Sequence, residues 1–170
     1  ALQLHASKPS TRLKSGTELA PGDKHEFYSH WHYSAVRLLT SISGFHSAEA
    51  VAQELKLPAD TVAAVLDFLV SKGLCLKTPQ GFALGTQRTH EPANSPHTLR
   101  HHQNWRLKAL EKLPLLPSNR LAFTCPFTAS PQDEAKLRKC LSDFVAEFNA
   151  VVDKSPAEKL YCLNLDWFDV

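Results

Sequence analysis

The sequence predicts an α+β protein in which a winged helix-turn-helix domain is followed by a small α/β C-terminal domain. Three observations carry this. Apolar residues recur at helical spacing in three successive segments between Glu26 and Gly73. A strand, turn and strand pattern follows directly, from Leu74 to Leu84. Farther on, a long amphipathic stripe is flanked by two apolar segments rich in strand-forming residues. The chain accordingly divides into a leader over 1–23, the winged helix-turn-helix domain over 24–86, a linker over 87–97 and a helix-strand-helix-strand domain over 98–170.

The leader carries Ser, Thr, Lys, Pro and Gly with little periodicity, and Pro21-Gly22-Asp23 reads as a turn. Lys8, Arg12 and Lys14 offer basic contacts there. In the first helix Phe27, Trp31, Ala35, Leu38 and Ile42 share one face, and Gly44 ends it. Ser47 supplies an N-cap oxygen to the second helix, Glu49 sits where the helix dipole favours a carboxylate, and Ala48, Val51, Ala52 and Leu55 form its apolar face. Pro58 opens the third, with Val62, Val65, Leu66 and Leu69 turned inward and Gly73 closing it.

Leu74-Cys75-Leu76-Lys77 and Phe82-Ala83-Leu84 then form a hairpin around Thr78-Pro79-Gln80-Gly81, the wing. Ser95-Pro96 and Ser130-Pro131 each read as an N-cap followed by Pro at the first helical position, with Asp133 completing a capping-box spacing. The helix from Pro131 presents Leu137, Cys140, Leu141, Phe144, Phe148, Val151 and Val152, and the segments 120–127 and 160–168 beside it read as strands. A helix joining two strands allows them to be parallel, and such a small sheet leaves edges that a second copy would cover. The competing arrangement folds this tail back on the first helix, with Trp31 and Trp105 filling the seam.

With 170 residues, 43% hydrophobic and 21% charged, the chain has an ordinary globular composition, which argues against wholesale disorder. No apolar run approaches the roughly 18 residues of a membrane span, and nothing at the start resembles a signal peptide, so a cytoplasmic protein is expected. Cys75, Cys125, Cys140 and Cys162 are far apart in apolar stretches, which predicts reduced, buried thiols rather than disulfides or a metal knuckle. The net charge of +2 is mild for a nucleic-acid binder. Nine basic and eight acidic residues precede the Pro96–His97 junction, and ten and nine follow it, so neither half is a basic arm.

The segments FYSHWHYSAVRLL, LVSKGLCLKTPQGFAL, Thr98-Leu99-Arg100-His101-His102 and the closing LYCLNLDWFDV resemble a family of uncharacterised bacterial proteins predicted to be winged-helix regulators, one of the domain-of-unknown-function families. The likeness runs from about Glu26 to the C-terminus and implies no enzymatic activity. Longer members carry a separate helical region before the shared part. With about two dozen residues preceding it here, a shortened relative or a fragment is expected.

The function expected first is a DNA-binding transcriptional regulator, with the C-terminal part serving dimerisation or sensing. In this class the second helix of the pair enters the major groove, while wing and helix ends touch phosphates. The residues expected at double-stranded DNA are Lys56, Thr61, Ala64, Lys72, Lys77, Gln80 and Arg88. Against this, Asp60 and Asp67 on the same helix would repel phosphate, and the helix lacks the Arg, Asn or Gln that reads bases. The alternative is a winged-helix protein-protein interaction module that never touches DNA. No nucleophile elbow, zinc-protease, phosphate-loop or dinucleotide motif is found, and no cofactor is expected. His97 and His101 lie one helical turn apart, but without a matching thiolate or carboxylate they predict aromatic packing or surface histidines rather than a metal site.

Overall fold

The computed structural model describes residues 19–87, 89, 91, 92 and 94–170. The order is α1 (Pro21–Phe27), α2 (Trp31–Leu39), α3 (Ala48–Leu55), α4 (Ala59–Ser71), β1 (Cys75–Thr78), β2 (Gly81–Leu84), α5 (Pro96–Lys112), a short 3-10 turn (Leu113–Leu115) and α6 (Pro131–Lys154). No described helix is long and apolar enough to cross a membrane.

The local chemistry explains most boundaries. Ser47 Oγ accepts from the Ala50 amide at 3.2 Å and starts α3. Ser95 and Ser130 cap α5 and α6 in the same way, each followed by Pro at the first position. After α4, Gly73 adopts φ +68°, and the Leu74 amide donates to Leu69 O at 2.8 Å, closing the helix over its own last carbonyls. Pro58 caps α4 rather than opening it, so the helix begins at Ala59. The strands β1 and β2 pair antiparallel from Cys75 against Leu84 to Thr78 against Gly81.

Three expectations need correction at the N-terminal side. The turn expected at Pro21-Gly22-Asp23 is the first turn of α1, where Pro at N1 loses no hydrogen bond. The single helix expected from Glu26 to Ile42 is two, α1 and α2, broken at Tyr28-Ser29-His30, and regular helix stops at Leu39 before Gly44 turns the chain at φ +92°. The break redirects the apolar face. Val36 and Leu39 become fully buried, while Leu38 stays exposed and Trp31 faces α5.

The core lies among these helices and the hairpin: Val36 and Leu39, Val51, Val62, Leu66 and Leu69, then Leu74 and Cys75. The entire stripe expected for α4 is buried. Tyr33 meets Phe68 edge to face at 5.4 Å, and Ala157 and Leu160 from beyond α6 pack against the same cluster.

The C-terminal part departs from expectation. Segments 120–127 and 160–168 form neither strand nor helix, and α6 buries none of its residues. The guanidinium of Arg120 lies 5.3 Å from the Tyr161 ring, and Phe127 lies 5.2 Å from Trp167, so the two segments run side by side in the same direction. No backbone hydrogen bond joins them among the described residues. A lone parallel pair gains little without further strands, and Pro126 removes one of its donors. Cys125, Cys140 and Cys162 are free and exposed, which corrects the expectation of buried thiols; Cys75 alone is buried.

Candidate functional site

The residues expected to meet DNA fall on three elements. Lys56 ends α3 in the left-handed conformation at φ 55° and is exposed. On α4, Ala64 is exposed and Thr61 half-buried, beside the exposed Asp60, Ala63 and Asp67. Lys77 on β1 and Gln80 in the hairpin turn are both exposed. Arg88, like Lys8, Arg12 and Lys14, lies outside the described residues. Lys72 stands apart. Its ammonium is 2.8 Å from the Asp23 carboxylate, and it follows Thr61 by eleven residues, about 16 Å along the helix axis.

The hairpin is held in place by the loop before α3. The Phe82 amide donates to His46 O at 2.8 Å, and His46 Nδ1 lies 2.9 Å from Phe82 O. Gly81, at φ +120°, makes this approach, since a Cβ there would sit 1.9 Å from His46 O. Within the turn, Thr78 Oγ1 donates to Gly81 O at 3.2 Å and the Gln80 amide reaches Thr78 Oγ1 at 3.3 Å. Lys77 and Gln80 are thus carried on a braced hairpin.

Behind this surface, α5 is seated against α2. Trp31 and Trp105 meet at 6.1 Å, Lys108 stands 4.2 Å over the Trp31 ring, and Asn104 Nδ2 donates to Tyr28 O at 3.0 Å. This is the Trp31–Trp105 seam of the competing arrangement, formed by α5 and not by the apolar face of α6. The tail is tied to α5 in turn: Arg106 Nε donates to Asp166 Oδ1 at 2.6 Å and Asn164 Nδ2 to Trp105 O at 3.3 Å.

The seam also gathers titratable groups. Tyr28 stacks on His97 at 5.8 Å and meets His101 edge-on at 5.5 Å. Burial, reinforced by Glu91, pushes the Tyr28 hydroxyl up to about 12. Burial, with His102 nearby, holds His101 below the usual imidazole range. The Tyr33 hydroxyl, which donates to Glu26, is raised to about 12 by burial and that carboxylate. Among the described residues no three His, Cys, Asp or Glu side chains converge as a metal site.

Arg37 is the residue that sequence reasoning missed. It is only 4% exposed and bridges α2 to Leu74, just before β1, and to the connector. A signal was present: Arg37 follows Tyr33 by four residues and precedes Thr40 by three, on a face that proves buried.

No curated protein and no solved structure matches the chain. A family model, that of a domain of unknown function, DUF4423, matches residues 8–170, and the chain therefore belongs to that family.

Proposed function

We propose that the unit from α2 to β2 is a winged helix-turn-helix and that the protein is a DNA-binding transcriptional regulator acting as a homodimer. The observation that carries this is the order and bracing of the elements: α2, α3 and α4 share one core, and the hairpin that follows is tied to His46 in the loop before α3. In this reading α4 enters the major groove and the hairpin touches phosphates. Exposed Lys56, Lys77 and Gln80 supply contacts around the groove, and the small side chains of Thr61 and Ala64 allow close approach.

Support for the dimer comes from unburied apolar surface. Leu121, Phe123 and Phe168 are 87%, 81% and 76% exposed, and Phe127, Phe144, Phe148 and Tyr161 add to them. Taking about 200 Å² per ring, the exposed parts of these six aromatics come to on the order of 700 Å². That summed area approaches the roughly 800 Å² each partner contributes to a standard interface. A second copy would also supply strand partners for the parallel segments 120–127 and 160–168.

One observation favours a second reading, a winged-helix module that binds protein. The outer face of α4 exposes Asp60 and Asp67, and the helix carries no Lys, Arg, Asn or Gln. Fluorescence anisotropy with random-sequence duplex at 50 and 200 mM salt separates the two. A regulator of this class binds with a dissociation constant of about 10⁻⁴ to 10⁻⁶ M that weakens as salt rises. No binding at low salt transfers the surface to a protein partner.

A further inference from the structure

Arg37 donates from Nε to Leu74 O at 3.2 Å, from Nη2 to Gln87 O at 2.7 Å and from Nη1 to Thr89 Oγ1 at 3.1 Å. All three acceptors are neutral. Among the described residues no carboxylate is within ion-pair distance of the guanidinium. Glu91, which lines the same space as Arg37, is taken up by Lys24 at 2.6 Å and by Ser95 Oγ at 2.7 Å. Among the described residues, a positive charge is therefore held out of water without a paired counter-charge, an arrangement that is costly unless something compensates it. Among the described residues, one N–H on each terminal nitrogen has no acceptor, and a guanidinium with two such groups can take the two oxygens of a carboxylate.

Arg37 lines a partly open cavity of about 300 Å³ between α2, the connector and α5. Phe27 and Leu38 give it apolar walls, and Thr98 and His101 face it from α5. At about 30 Å³ for each small group, the space holds on the order of ten non-hydrogen atoms. Glu91 on the wall disfavours a dianion.

We infer that this cavity is a binding site for a small aromatic or branched monocarboxylate, its carboxylate on Arg37 and its apolar body against Phe27 and Leu38. His101 faces the same space from α5, and burial holds it below the usual imidazole range. Because one wall belongs to α2 and another to α5, the ligand bridges the helix-hairpin unit and the helix that leads into the C-terminal part. The inference is independent of what α4 contacts.

The test is titration of the ¹⁵N-labelled full chain with benzoate, its neutral isostere benzamide, and inorganic phosphate at pH 7.5, followed by amide shifts. Saturable shifts are expected with benzoate at Leu38, Thr98 and His101. Benzamide should bind at least tenfold more weakly, and phosphate should give no saturable shift at these positions. Thr98→Trp, which fills the cavity from α5, should abolish benzoate binding while leaving the rest of the spectrum folded. Equal binding of benzoate and benzamide, or benzoate shifts confined to residues outside the cavity, would overturn the inference. That comparison needs no variant, so it stands even if Thr98→Trp fails to fold.

Discussion

Lys72 and Asp23 hold each other at 2.8 Å, joining the C-terminal end of α4 to the first turn of α1. The pair commits a lysine expected at DNA to an intramolecular partner, whereas Lys77 on the hairpin stays exposed. The two lysines should therefore behave differently. Lys77→Ala is expected to weaken binding to all duplexes alike and to reduce the salt slope by about 1, because a phosphate contact carries no sequence information. Lys72→Ala should leave both unchanged, and Asp23→Asn should steepen the slope by freeing the ammonium. Anisotropy titrations over several salt concentrations measure all three; equal losses for the two lysine variants would show that the ion pair does not withhold Lys72.

Gly81 sets the distance between the hairpin and the loop before α3. Gly81→Ala places a methyl group against His46 O in a backbone conformation that L side chains rarely adopt, so either the Phe82–His46 bonds break or the turn rebuilds. A loss of about 2 to 4 kcal/mol is expected, combining backbone strain and overpacking. Urea unfolding at matched m-values reads it. A change smaller than about 0.5 kcal/mol, the range of ordinary surface substitutions, would mean that the hairpin is not braced by this contact.

What the sequence made legible is the part whose signals are local. The stripe Val62, Val65, Leu66 and Leu69, the Ser47, Ser95 and Ser130 caps, and the left-handed Gly73 each depend on neighbours a few residues away, so pattern and structure agree. The break at Ser29-His30 was hidden because Phe27 and Trp31 keep helical spacing across it. Strands were misread at 120–127 and 160–168 because a preference for extended backbone does not supply a hydrogen-bonding partner. For the candidate site, Lys56, Ala64, Lys77 and Gln80 lie exposed and Thr61 is half-buried, but nothing local shows that Lys72 finds Asp23. For Arg37 the spacing from Tyr33 and Thr40 marks the face, but its partners are not local. Its acceptors on Leu74, Gln87 and Thr89 are 37 to 52 residues away.

Self-association follows from the exposed C-terminal surface and should be measurable directly. Sedimentation at micromolar concentration is expected to give about 38 kDa, twice the 18.9 kDa chain. Phe123→Glu combined with Phe168→Glu should return the monomer, since charges at two such exposed apolar positions oppose burial of the surface while touching none of the core. A wild-type mass of about 19 kDa across that range would remove the dimer and favour the protein-binding reading.

Acid should loosen the seam between α2 and α5 before it unfolds the rest. Burial is the first cause that lowers His32, His101 and His102, assisted by His30, by His102 and by Arg106 respectively; for His102, Asp166 opposes the shift. An unfolded imidazole titrates near 6.5, so each of these groups takes up its proton more readily in the unfolded chain than in the folded one. Their contribution to stability is therefore complete above about pH 6.5 and is lost as pH falls from there through the lowered folded values. Glu91 belongs to a lower window: burial pushes it up, but Lys24 and Ser95 bring it below the ordinary carboxylate range. Melting temperature is expected to hold between pH 8 and 7 and to drop between about 6.5 and 5. Tryptophan emission should change with it, because His101 lies 6.4 Å from Trp105 and Trp105 packs on Trp31. His101→Gln, which cannot acquire charge, should flatten the drop and lower the stability at neutral pH only modestly. A wild-type melting temperature that is the same at pH 7.5 and 5.5, or a drop of unchanged steepness in the variant, would show that these histidines are not what makes the seam sensitive to acid.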